Sequence, residues 1–326
     1  MKIALVGGAG FIGHNLALRF KKLGHDVLIA DSLAVNNKFA LEGQAEYLAM
    51  IDERLDMLQI AAVPMVYLDA RNYHHLSRTV GAWKPDVLIH LAAVAHIDRS
   101  NKDPLSTFDH SLVTLENSLD VCRSIGIKQF VYFSSSTAYG DFSKPTIDET
   151  EPCKPRGIYG TLKLCGELMV KMYGDTYGLP YTVIRPQALY GPRCVSGRVT
   201  QKFVELAHNG KEIVIDGDGT QKNDFTYIDD MVNGVLAAVG DKAAIGETFN
   251  ITAGDARSLN NLVKIIGQHY ENMDVRCGPP DKDKPSRGTM SNGKATRLLG
   301  YTPLWSLDDG MDEYIKWYKA FRAQHG

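Results

Sequence analysis

Tyr159 and Lys163 stand four residues apart in GIYGTLKLCGELMVKMYG, a segment with helical periodicity, so both side chains project from one helix face. One site can therefore hold a phenol beside an ammonium. A free tyrosine titrates near ~10, and its use as a base at neutral pH requires a lowering of about three units, roughly 4 kcal/mol of differential stabilisation. A cation at Lys163 is a direct source of that stabilisation. Upstream, QFVYFS reads as a buried strand ending in a hydroxyl cluster, Ser135, Ser136 and Thr137. In a parallel sheet that carboxyl end is where ligands bind. A Tyr-x-x-x-Lys spacing alone also fits an amphipathic surface pair, so the reading depends on the elements around it.

The first thirty residues supply the strongest of these elements. KIALVGGAGFIGHNLALRFKKLGHDVLIAD reads as a strand, then Gly7, Gly10 and Gly13, an amphipathic helix beginning near Phe11 and Ile12, and a second strand closing on Asp31. The glycines serve a tight turn, close approach of backbone to a pyrophosphate, and close packing of helix on strand, with the helix N-terminus facing the phosphates. Asp31 is placed to accept hydrogen bonds from an adenosine ribose and would repel a 2′-phosphate, which favours NAD over NADP.

The remaining elements follow in alternation. Residues 38–62 show a helical stripe of Leu48, Ile51, Leu55 and Leu58, and MVYLDA reads as a third strand ending at Asp69, with Ala70 beside it as a further cofactor contact. Asp69 either meets the adenine edge of a dinucleotide or lies on a surface turn. DVLIHLAAVA reads as a fourth strand running into a small-residue loop, Leu91, Ala92, Ala93 and Ala95, that could pass close to a cofactor. A helix over 104–124 precedes the strand with the hydroxyl cluster, and another strand, YTVIRP, follows the Tyr159 helix. This alternation specifies an α/β doubly wound parallel sheet. Beyond it come shorter elements and loops rich in Gly, Asp, Asn and Pro at 216–224 and 278–293, suited to substrate binding.

Composition narrows the classes. The chain of 326 residues is 44% apolar with a formal net charge of −2, and no Lys/Arg run marks it as a nucleic-acid binder. Apolar runs are strand-sized and short of a membrane span, and Met1 leads directly into a core strand, so no signal peptide is expected. Cys122, Cys153, Cys165, Cys194 and Cys277 are odd in number with no CxxC, which fits reduced thiols in the cytoplasm. His74-His75 has no further ligand at metal spacing, so no metal is expected.

With the glycine fingerprint, HLAA, SSSTAYG, YGTLK, YGPR and GDGTQKNDFTYIDD in order, the sequence resembles the extended short-chain dehydrogenase/reductase family acting on nucleotide sugars, UDP-galactose 4-epimerase-like enzymes among them. The resemblance covers essentially the whole chain. It implies a Rossmann domain over 1–178, with 179–192 and 226–252 returning to it, and a smaller α/β substrate-binding region woven from 193–225 and 253–326. It also implies that Tyr159 takes the sugar hydroxyl proton while a hydride passes from the same carbon, usually C4, to NAD. Lys163 then tunes Tyr159 and bonds the nicotinamide ribose, and Ser135 hydrogen-bonds the reacting hydroxyl.

The next two positions choose the reaction. Related 4,6-dehydratases carry Asp-Glu there, since expelling water needs an acid and a base, and related decarboxylases have Glu in the second place. Ser136 and Thr137 can be neither. The pattern looks most like the 4-epimerases, in which the 4-keto sugar turns over and is re-reduced on its other face. Alternatives are a C4 dehydrogenase, a dehydratase (which the HIDRS segment resembles more) or a decarboxylase, and outside enzymes an idle NAD-sensing or RNA-binding relative.

Several positions depart from the family pattern. Ala188, with Gln187 before it, stands where many relatives have Asn, and Asn223 stands where they often have Arg, with Lys222 able to supply the charge. Arg193 and Arg287 are then candidate ligands for the diphosphate, and Phe203 and Val214 lie where base recognition is expected. Relatives commonly dimerise through two helices per subunit. The matching helices, 104–124 and 158–174, carry Leu105, Leu112, Leu119, Leu162, Leu168 and Met172.

Overall fold

The computed structural model describes residues 1–34, 38–94, 97–281 and 285–325. Its centre is a sheet of seven parallel strands: β1 (Lys2–Val6), β2 (Asp26–Asp31), β3 (Met65–Tyr67), β4 (Val87–His90), β5 (Gln129–Phe133), β6 (Tyr181–Arg185) and β7 (Glu247–Asn250). Their order across the sheet is β7-β6-β5-β4-β1-β2-β3. Register is set by apolar runs meeting side by side: Ile3 lies between Val27 and Val87, and Val131 between Ile89 and Thr182.

Alternation along each strand feeds two cores. Ile3, Leu5, Val131 and Ile184 face one layer, built in part from α1 (Phe11–Lys22) and α2 (Ala45–Ile60). Ala4, Val6, Phe130, Tyr132 and Val183 face the other. That second layer is built from α3 (Tyr73–Trp83), from a helical track made of α4 (Pro104–Phe108) and α5 (Thr114–Ile125), and from α6 (Gly157–Tyr177). Strands apolar on both faces are what a doubly covered parallel sheet requires. Chain order reverses between β1 and β4, which opens a crevice beyond their carboxyl ends.

The later chain adds α7 (Val199–His208) and short two-stranded pairings, Ile213–Asp216 with Val275–Gly278, Lys222–Asp224 with Ala256–Ser258, and Thr146–Ile147 with Thr289–Met290. No described helix is long and apolar enough to cross a membrane.

Three expectations need adjusting. The single helix over 38–62 is a 3-10 turn at Lys38–Leu41 followed by α2, because Gly43 between them takes φ +81°. The third strand stops at Tyr67, short of Asp69. The helix over 104–124 is broken by a π-helical turn at Asp109–Val113, which rotates the face that follows. As a result Leu115 and Leu119 are fully buried, whereas Leu105 is 74% exposed and Phe108 is also exposed.

Candidate active site

The turns after β1, β2 and β4 line a cleft of ≈ 370 Å³. Gly7, Gly10, Phe11, Ile12, Gly13, Asp31, Asp69, Ala70, Leu91, Ala92 and Ala93 all border it, while Ala95 lies outside the described residues. The glycines are required by contact. A Cβ on Gly7, at φ +80°, would stand 2.6 Å from the Ala92 nitrogen, and one on Gly13 would stand 2.4 Å from the Gly8 oxygen. Such a cradle, closed by the start of α1, fits a dinucleotide pyrophosphate. The Asp31 carboxylate is held by the backbone N–H groups of Ala9 (2.9 Å) and Leu33 (2.7 Å). Burial raises its pKa, against the lowering influence of those donors and of Arg54. Asp69 is chelated by its neighbour Arg71, whose guanidinium holds the carboxyl below its ordinary range.

The hydroxyl cluster sits where β5 ends. Ser135 opens a 3-10 turn (Ser136–Tyr139), and its Oγ accepts from the Thr137 N–H at 3.1 Å. Helix α6 lies directly against this turn and against β5 because two of its positions carry no side chain. A Cβ on Gly160 would stand 2.7 Å from the Thr137 oxygen, and one on Gly166 2.1 Å from the Tyr132 hydroxyl. Neither glycine was singled out in the sequence, though both are visible in YGTLKLCG. The close approach brings Tyr159 near Ser135, whose hydroxyl acts to lower the phenol's pKa.

Charge coupling differs from the expectation. Burial pushes the Tyr159 phenol up, and the groups that oppose it are the Arg198 cation and then Ser135. The Lys163 ammonium instead donates to the Phe133 carbonyl at 2.6 Å, over the ring of Tyr132. Burial lowers Lys163 to about 8, with Glu167 acting to raise it. Beneath lies a buried network in which Glu167 accepts from Arg185 at 2.8 and 2.6 Å and from the Ser134 hydroxyl.

The expected substrate residues separate into groups. Ser136 and Thr137 are on the turn after β5, and the Ser136 N–H donates to the Pro186 oxygen at 2.9 Å, which joins this turn to the segment holding Gln187 and Ala188. Gln187 is 4% exposed with neither amide atom hydrogen-bonded, and the Thr137 hydroxyl is likewise without a partner, among the described residues. Ala188 takes φ +41°, a conformation in which Asn is more at home. Val214 is half-buried on its short strand, Lys222 is exposed, Asn223 pairs across from Arg257, and Phe203 is packed in the main core.

Arg193 and Arg287 are not turned to the cleft. Arg193 is ion-paired with Glu53 on α2 at 3.0 Å and lies over Trp317. Arg287 donates to the backbone oxygens of Ser136 (3.0 Å) and Gly140 (2.9 Å), so it braces the turn that Ser135 opens. The arginine that does line the cleft is Arg198, at the start of α7, together with Tyr47, His110 and Thr114. Its signal in the sequence was a Gly-Arg step closing the loop that follows YGPR.

Residues 3–252 match the model of the NAD dependent epimerase/dehydratase family. A Bacillus subtilis (strain 168) protein, the uncharacterized UDP-glucose epimerase YtcB, is 30% identical over 98% of this chain and 98% of its own. Among solved structures, UDP-glucuronic acid 4-epimerase from Bacillus cereus, in complex with UDP-glucuronic acid and NAD, superposes with a TM-score of 0.88 at 27% identity, covering 98% of this chain and 99% of that one. UDP-glucose 4-epimerase from Thermotoga maritima, with UDP-glucose, gives a TM-score of 0.87 at 27% identity and the same coverage.

Proposed function

Because the chain belongs to the NAD-dependent epimerase/dehydratase family, we propose that it is a nucleotide-sugar 4-epimerase working through a transient 4-keto sugar. Bound NAD supplies the reversible acceptor and donor of hydride at C4. The observation that carries the reading is the composition of the turn after β5: Ser135 beside Tyr159, followed by Ser136 and Thr137 rather than carboxylates. Glu167 is consumed by Arg185 and Ser134 and is not available to deprotonate a sugar carbon. Tyr159 moves the proton of the C4 hydroxyl, Ser135 holds that hydroxyl, the Lys163 ammonium fixes helix to strand, and the Arg198 cation is the charge that favours the phenolate. Elimination or decarboxylation would need a further acid or base that this turn does not carry.

We assign 193–225 and 253–326 to the substrate-binding region, with the nucleotide diphosphate spanning from there to Tyr159. The proposed working unit is a homodimer formed through α4 and α6, and five unpaired cysteines support a reducing, cytoplasmic setting.

The test is incubation with UDP-glucose, UDP-glucuronic acid and further nucleotide sugars in deuterium oxide, followed by NMR. Inversion at C4 with no deuterium at C5 is the expected result, because C5 is never deprotonated. A deoxy-keto or decarboxylated product would move the assignment to a dehydratase or decarboxylase.

A further inference from the structure

The arginines around the cleft are mostly committed. Arg54 donates to the Arg193 oxygen, Arg193 to Glu53, Arg185 to Glu167, and Arg287 to two backbone oxygens. Arg198 differs. Its guanidinium makes no hydrogen bond or ion pair among the described residues, although the side chain is half-buried and borders the same cleft as Gly10 and Gly13. A guanidinium with no partner of its own at the edge of a cleft is free to pair with an anion that enters it.

Its surroundings are already ordered. The N–H groups of Ser196 and Gly197 donate to the Gln201 Oε1 at 2.8 and 2.9 Å, so the loop that aims Arg198 is tied to α7. The Arg198 charge also reaches the buried phenol of Tyr159, so the side chain is within electrostatic range of both the dinucleotide cradle and the reacting centre. The other cations offered by the sequence for a diphosphate do not compete: Lys222 is exposed on its strand, and position 223 is Asn.

We propose that Arg198 is an anchor for a diphosphate bridge, its planar fork binding two phosphate oxygens at once where the cofactor cleft meets the substrate region. Two sources share this chemistry, the dinucleotide and the nucleotide sugar, and the proposal rests on the reading of the site as one that brings both together.

The test measures binding without turnover, so it remains readable even if the protein proves not to be an epimerase. NAD, and separately UDP in the presence of saturating NAD, are titrated calorimetrically against wild type, Arg198→Lys and Arg198→Gln. Adenosine and uridine, which lack phosphate, serve as controls. The expected result is at least tenfold weaker binding of one diphosphate ligand to Arg198→Gln, partial recovery in Arg198→Lys, and unchanged nucleoside binding. Weakening confined to NAD assigns the cofactor's pyrophosphate, and weakening confined to UDP assigns the substrate's. A wild type that binds no UDP leaves the NAD arm to decide. Unaltered affinity in every arm that binds overturns the proposal, as does an equal loss of nucleoside and diphosphate ligands.

Discussion

Lys163 donates to the carbonyl oxygen of Phe133 at 2.6 Å and so ties the helix that carries Tyr159 to the strand that ends at Ser135. Its charge is precarious, because burial lowers it from the ordinary 10.5 to about 8. Lys163 is protonated below that value and neutral above it. We therefore expect kcat/KM, which reports the free protein, to fall as pH rises through about 8. For stability the sign is the same as for any base depressed by folding: its contribution is present above 10.5 and lost as pH falls through 8. Glu167→Gln removes the group that raises Lys163, so the alkaline limb should move to lower pH. The same change strands the buried Arg185 at a cost of about 3–5 kcal/mol, readable by denaturant unfolding. A limb that stays in place would show that another group sets it.

Tyr159→Phe keeps the ring and removes the proposed proton carrier. Turnover should fall by at least ~10³, with NAD affinity retained because the cleft residues are untouched. Full activity in this variant would sink the proposed chemistry.

Asp31 uses one lone pair on each oxygen to bind Ala9 and Leu33, which leaves its outward side to a ribose. Asp31→Ala should weaken NAD by roughly tenfold, the order of one or two charge-assisted hydrogen bonds, and relax discrimination against NADP. Competitive titration with the two dinucleotides checks this. An unchanged preference would place the ribose elsewhere.

Gln187 offers a different readout, since a buried amide with both ends unbonded costs about 1–3 kcal/mol. Gln187→Leu should make the free protein more stable by ~1 kcal/mol and raise the sugar KM about tenfold. Thermal unfolding and initial rates test the two halves. A variant that melts lower with an unchanged KM would mean that Gln187 is structural.

What could be read from the chain was what depends on local chemistry. The cradle needs glycine at positions where a Cβ would strike backbone within a few residues, or on the adjacent strand turn, and that pattern is visible in GGAGFIGH. The commitments of the arginines were not readable, because they are made across the fold: Arg193 meets a carboxylate 140 residues away, and Arg287 an oxygen 151 residues away. A lone arginine in a loop carries no mark of its partner. The π-helical turn was equally hidden, since one extra residue in a helical track leaves the apolar spacing nearly intact while it turns Leu105 and Phe108 outward.

Leu105 and Phe108 on α4 are exposed, as are Leu168, 58% exposed, and Met172 on α6, and the two helices pack against each other. Leu119, expected on the same surface, is instead buried in the chain's own core, so the patch is confined to the ends of α4 and the outer side of α6. Large apolar side chains exposed on two packed helices are what a symmetric pair of helices from a second copy would cover. Light scattering at micromolar concentration should give twice the chain's mass. Leu105→Glu combined with Leu168→Glu would place charges in the contact and should give a folded monomer, because neither side chain supports the protomer's core. A monomeric wild type, or a double variant that still dimerises, would remove α4 and α6 as the interface.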